Sequence, residues 1–302
     1  MKLKYSKENI KLGVLFPVMY AATILLIILR TFQLTRHIDS ETGFLTGGES
    51  LYTVFLIIIA ACALFFAVAS YLSAESAGIE TAVLKDKPSA VFAAVFAVSL
   101  VYDFGSSFVD SLLVYDKISA GAFDRASELF KELMATGALP YALQSILALV
   151  SAVYFFILSK SRFKGSQNAH NRKYLALAPV GWAAFKIITR FVKQISYIRV
   201  SDLFLELMML AFMLLFFVAL SQTVSGVYCD DSRWRIPAFG LSGALISLSV
   251  NVPRLVLTVF AKDFVNAEYP FNLADTAFAV LAVFVAAGAI KAASRGKAKI
   301  SK

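Results

Sequence analysis

Two cysteines and two histidines are all that 302 residues contain. Cys62 and Cys229 offer neither a disulfide framework nor metal-ligand spacing. His37 and His170 fall in segments expected on opposite sides of a membrane, which excludes a histidine-built metal centre. Charge is scarce as well: 16% of residues are charged, against roughly a quarter in soluble domains.

The common catalytic motifs are missing too. There is no HExxH helix, no Walker loop and no DxxDG…AR pattern of lipid-head-group transferases. No GxGD context accompanies an intramembrane aspartate. The stretch GLSGA (240–244) resembles the GxSG motif of rhomboid proteases, but those enzymes need a histidine on a later helix to activate the serine. None follows His170, so Ser242 reads as a packing residue between Gly240 and Ala244. Lys291 stands at the end of the last apolar segment and not at its middle, which excludes a retinal Schiff base, and no other cofactor is expected. Catalysis is the function class with the least support in the residues.

Apolar residues are what the chain has in abundance, at 59%. Stretches of about 20 recur along its whole length, each able to cross a ~30 Å hydrocarbon core. Segments so long and uniformly apolar fit helices and not barrel strands, because a helix satisfies its own backbone without water. The expected fold is therefore all-α, a polytopic transmembrane helical bundle forming a single integral membrane domain over 1–302. Eight spans are read, near 11–31, 51–72, 90–114, 139–159, 174–193, 203–223, 236–259 and 272–292. Seven result if the third or fifth is tilted or broken. The first follows Lys2, Lys4, Lys7 and Lys11 but is too long for a signal-peptide core and lacks a small-residue cleavage site, so it reads as a retained helix.

The net charge of +9 comes from lysines and arginines in three places: the N-terminus, 160–173, and the tail after Ala289. Eight spans put all three on one side, while loops 32–50 and 260–274 are neutral or acidic. That is the positive-inside pattern, with both termini cytoplasmic. The expected partner of the basic segments is anionic lipid and not nucleic acid. A compact chain of this kind fits a prokaryotic cytoplasmic membrane. Between the third and fourth spans, Phe123, Ala126, Phe130 and Leu133 share one helical face, and Asp124, Arg125, Glu128 and Lys131 the other. A short amphipathic helix on the outer surface is expected there.

The informative residues are polar ones inside the spans. Lys186 lies ~19 Å along the fifth span at 1.5 Å per residue, and Asp103 ~20 Å along the third. Opposite charges at matching depth predict a salt bridge between them, or a ligand held by both. Ser106, Ser107 and Asp110 continue the Asp103 face, and Trp182, Arg190 and Lys193 that of Lys186. Glu206 on the sixth span joins them, with Ser247, Asn251 and Arg254 on the seventh beside the kink-forming Pro253. Asp275 opens a stripe of Ala279, Ala282, Ala286 and Ala289, which fits packing within the bundle and between copies equally.

These side chains gather in the outer half of the bundle. Asp103, Asp110, Glu206 and Asp275 stand against Lys186, Arg190 and Arg254. The pattern predicts a polar cavity open to the outside, in a transporter or binder of a small polar or charged solute or ion. Lys186 and Arg190 would attract its anionic part, and Asn251 and Ser107 would add hydrogen bonds. The alternative is a membrane scaffold or regulatory subunit whose intramembrane charges only hold the helices together.

Overall fold

The computed structural model describes residues 14–37, 47–73, 86–119, 126–165, 170–192, 200–225, 234–260 and 271–300. The basic N-terminus, Lys193, Cys229 and the Phe123–Arg125 stretch lie outside them. The described residues form α1 (Leu15–Arg36), α2 (Glu49–Ser73), α3 (Lys87–Ser119), α4 (Ala126–Ala135) and α5 (Ala138–Lys164). A 3₁₀ segment (His170–Leu177) leads into α6 (Ala178–Val192), followed by α7 (Val200–Ser225), α8 (Arg235–Phe260) and α9 (Leu273–Ile300). The protein is an all-α helical bundle, and among the described residues seven helices are long and apolar enough to cross a membrane.

Proline sets many of the helix starts. Pro17, Pro88, Pro140, Pro179 and Pro237 each sit in a first turn, where no helical partner exists for the amide hydrogen that proline lacks. Between α4 and α5 the chain reverses at Gly137, whose φ of 89° is open to glycine at little cost. Pro253 lies inside α8, so the Ser249 carbonyl loses its partner four residues on, yet the helix runs through to Phe260.

Contacts between helices fix their directions. Ser159 donates to the Ala90 carbonyl at 2.7 Å and Ser111 to that of Ala138 at 3.0 Å, so α3 and α5 are antiparallel. On α5 and α6, Thr189 bonds Gln144 while Gly181 faces Leu147. On α6 and α7, Arg190 meets Glu206 while the Trp182 and Phe217 rings lie 6.2 Å apart. Asn251 reaches Met209 from α8 to α7, and Ser247 bonds the Asp275 carbonyl of α9. Arg30 of α1 stands over the Phe55 ring of α2, and Tyr71 at the far end of α2 meets Trp234 before α8. The direction therefore alternates through α1, α2, α3, α5, α6, α7, α8 and α9, and the first and last of these helices bring the chain ends to the same end of the bundle.

The segment that falls short of a full α-helical span is α6, with 15 residues. The preceding 3₁₀ segment of eight residues extends it. At 1.5 and 2.0 Å per residue the two amount to about 38 Å, enough for the core of a bilayer. That length is compatible with a span over 174–193 as a composite element, though this segment is not among the seven helices long and apolar enough by themselves.

Lipid-facing side chains such as Ile28, Ile57, Leu64, Val98, Leu113 and Val259 are exposed, as apolar solvent requires. At the centre Phe217 touches the rings of Phe96, Phe155, Trp182, Phe216 and Phe278, tying α3, α5, α6, α7 and α9 together. The GLSGA stretch is a close contact. A Cβ on Gly240 would stand 3.0 Å from Phe216, and one on Gly243 would stand 3.2 Å from Phe278. Ser242 is buried and donates to the Ala238 carbonyl of its own helix at 2.8 Å.

Candidate functional site: a charged layer in one half of the bundle

Beyond the aromatic centre, on the side away from the chain ends, six helices carry charge to a common level. Lys186 of α6 donates to Asp275 of α9, and Arg190 of α6 meets Glu206 of α7 at 2.5 Å. Arg30 of α1 donates to Asp202 of α7, which Arg254 of α8 approaches at 3.6 Å. Arg190 and Arg254 keep the most surface, 18% and 11% of their side chains, and the other charged members are buried.

Asp103 stands apart from these pairs. Its Oδ2 accepts from Trp182 Nε1 at 2.8 Å and from Gln144 Nε2 at 3.4 Å, both neutral donors. The expected bridge between Asp103 and Lys186 is replaced by this arrangement. Lys186 turns to Asp275, and the indole lies between, with the ammonium 5.1 Å from the centre of the Trp182 ring. The physical reason is that α9 packs against α8 with the Asp275 carbonyl held by Ser247 at 2.7 Å, which brings its carboxylate to the depth of Lys186. Equal depth on α3 and α6 did not determine which faces meet.

Gln144 of α5 is the hub that periodicity missed. Its Nε2 also donates to Ser107 at 3.1 Å, and its Oε1 accepts from Thr189 at 2.8 Å. Three expected residues, Asp103, Ser107 and Lys186, thus belong to one connected set through Gln144, Thr189 and Trp182. Asn251 is buried and bonds within and beside its helix: to the Ser247 carbonyl at 3.1 Å, to Met209 Sδ at 3.8 Å, and as acceptor from the Asn272 amide at 3.4 Å. Asn272 in turn caps α9, accepting from the Ala274 and Asp275 amides at 2.9 and 3.2 Å.

Asp110 does not join the layer. It lies exposed on α3, two turns beyond Asp103, while the buried stripe of that helix continues through Asp103, Ser107 and Ser111 at four-residue spacing. Two unexpected members replace it. Arg30 and Gln33 extend the buried α1 stripe of Leu15, Met19, Ala22 and Leu26 at helical spacing, and Asp202 opens α7. Both charges stand at span ends, where composition treats charge as cheap; the α1 stripe was the available signal. Among the described residues the layer then contains Arg30, Lys186, Arg190 and Arg254 beside Asp103, Asp202, Glu206 and Asp275, four bases and four acids.

No protein-family model matches this chain, and neither a curated protein nor a solved structure is detectably similar to it. The chemistry of the layer must therefore be read from its own residues. It has charged donors and acceptors in number, and neither a thiol nor an imidazole appears in it. Such a set suits holding charge in low dielectric rather than nucleophilic attack.

Proposed function

We propose that this integral membrane protein binds a small polar or charged solute at the charged layer and moves it across the membrane. With the basic terminal segments on the cytoplasmic side, the layer occupies the outer half. The observation that carries the reading is the convergence of eight ionisable side chains from six helices within a bundle otherwise built of Leu, Phe, Val and Ala. Buried ion pairs are a poor route to stability, since apolar replacements commonly match or exceed them. Retaining so many inside a membrane is better explained by use than by cohesion. The aromatic cluster around Phe217 supplies a floor that closes the layer from the other half.

The test is access. In a chain whose Cys62 and Cys229 have been replaced, a cysteine at Thr189 or Asn251 should react quickly with a membrane-impermeant thiol reagent added outside. A control cysteine at the exposed Glu49, at the same end of the bundle, sets the reference rate. A control that reacts while Thr189→Cys and Asn251→Cys stay silent would overturn the solute reading.

One observation favours the scaffold reading: among the described residues the layer has four acids and four bases, and most of them tie one helix to another. That reading predicts silence at both buried positions.

A further inference from the structure

Asp103 differs from the other acids of the layer. Asp202 takes Arg30, Glu206 takes Arg190 and Asp275 takes Lys186. Asp103 forms no ion pair among the described residues. Its carboxylate, on a side chain only 4% exposed, takes the Trp182 indole and the Gln144 amide, both on Oδ2. No described group donates to Oδ1. Two neutral donors lower the cost of a buried carboxylate but leave its charge in place.

The groups around it do not supply a cation. On α9, Asp275 is within electrostatic reach and carries the same sign, and Lys186 of α6 is turned to it from behind the indole. Arg190 of α6 is engaged by Glu206 of α7. On α5 stand the uncharged Gln144 and, one turn before it, Tyr141, which is within electrostatic reach of Arg190, Asp110 and Glu206. Further along α3, Asp110 and Asp116 are exposed, as are Glu128, Lys131 and Glu132 of α4. The cation that fits beside Asp103 is a proton. It needs no room beyond a bond to Oδ1, and it removes the charge while both donors keep their place on Oδ2.

We propose that Asp103 takes up and releases one proton from the outer solution, and that this proton is the coupling ion of the solute movement. The transfer runs from hydronium to Oδ1: one O–H bond forms on the carboxyl as one breaks in hydronium, leaving water. The indole hydrogen bond changes with it, from a charge-assisted bond on a carboxylate to a weaker one on a neutral acid. Trp182 joins α3 to the face of α6 that carries Lys186, so the charged state of Asp103 holds α6 and the neutral state loosens it. This assignment rests on the solute reading above and names the ion coupled to it.

Trp182 also reports the step, since its Nε1 touches the titrating group at 2.8 Å. The chain has two tryptophans, so the full-length Trp234→Phe protein in detergent reads Trp182 alone. Its emission should follow pH in a single one-proton step. Asp103→Asn, whose amide oxygen can still accept from the indole, should abolish the step, and Asp103→Glu should keep it at a displaced midpoint. The infrared difference between the two sides of the step should contain a carboxylic C=O band that Asp103→Asn lacks. A step that survives Asp103→Asn overturns the proton site, and so does emission that stays flat wherever the protein is folded. If Asp103→Asn does not fold, Asp103→Glu decides, because an unmoved midpoint places the titration elsewhere.

Coupling is read by thiol labelling from outside, in the chain without Cys62 and Cys229. Asn251→Cys is preferred here to Thr189→Cys, because Thr189 bonds the Gln144 that touches Asp103. Its rate is taken relative to Glu49→Cys, and the Asp103→Asn background separates ionisation of the thiol from that of Asp103. The relative rate should differ about fivefold between the two sides of the step, the scale of a hydrogen bond that loses its charged partner. Asp103→Asn should hold the acid-side rate at both. Equal relative rates on the two sides would overturn the coupling. Rapid labelling without an Asp103 step removes the proton and leaves the solute reading standing. Unreactive cysteines at both Asn251 and Thr189 at every pH remove the solute reading, and the coupling with it.

Discussion

Lys186 gives its proton-bearing nitrogen to Asp275 of α9, and Trp182 gives its indole hydrogen to Asp103 of α3, so one face of α6 serves two acids with two different donors. The ion pair and the neutral pair are joined through the same indole, over which the ammonium sits.

Exchange of partners checks this pairing. Lys186→Ala or Asp275→Ala alone should destabilise the protein by about 3–5 kcal/mol, because each leaves a buried charge unmatched. The reversed pair Lys186→Asp with Asp275→Lys should restore much of the folded yield. The combination Lys186→Asp with Asp103→Lys should not. Thermal unfolding of the purified variants in detergent separates the cases, and rescue by the Asp103 combination alone would contradict the geometry.

How far this arrangement was legible in the sequence depends on the scale of the question. Spans announce themselves by apolar length, and depth along a span follows from a fixed rise per residue, so the level of Asp103, Lys186 and Glu206 was readable. Azimuth is different. Which face of α6 meets α9 depends on packing between segments 89 residues apart, which no local period encodes. Asp110 shows the same limit, since the buried stripe of α3 follows Asp103, Ser107 and Ser111 and leaves the seven-residue position exposed. Arg30 and Asp202 stand near span ends, where charge is tolerated and composition alone does not mark them. Gln144 stands near the start of an apolar span with no charged residue at helical spacing to single it out, although a buried amide can bond at both ends. The prolines in first turns were a signal for helix starts that apolar length alone does not use.

Gln144 should matter more than its lack of charge implies. It touches Asp103, Ser107 and Thr189, and thereby links α3, α5 and α6. Gln144→Leu removes all three contacts and leaves the Asp103 carboxylate with Trp182 alone. A loss of about 1–3 kcal/mol is expected, whereas Thr189→Val, which removes one contact, should cost about half as much or less. Equal melting temperatures for Gln144→Leu and the parent would mean that the hub is not formed.

The close approach of α8 to α7 and α9 separates a packing role from a chemical one. Gly243→Val would drive a branched side chain into Phe278 and Phe212, with a cost of about 1–3 kcal/mol or outright misfolding. Ser242→Ala deletes a hydroxyl that bonds within its own helix, and a change within about 0.5 kcal/mol is expected. Comparison of melting temperatures checks both. A large loss of stability in Ser242→Ala would reopen a role for that serine.

The composite segment of 3₁₀ helix and α6 decides the topology of the whole chain. If residues 170–192 cross the bilayer, the number of crossings is even and the two chain ends share a side. If they only dip into it, the ends lie on opposite sides and the positive-inside assignment of the C-terminal tail reverses. Thr189 on Gln144 with Gly181 on Leu147, and Arg190 on Glu206 with Trp182 on Phe217, run α5 and α7 the same way, which is the arrangement a crossing predicts. A reporter that fluoresces only in the cytoplasm should therefore be bright at either end of the chain, expressed in a bacterial host, and dark when inserted in the loop between α1 and α2. A bright N-terminal and a dark C-terminal fusion would place α6 as a re-entrant element. Lys186 and Arg190 would then reach the layer from a helix that enters and leaves on the same side.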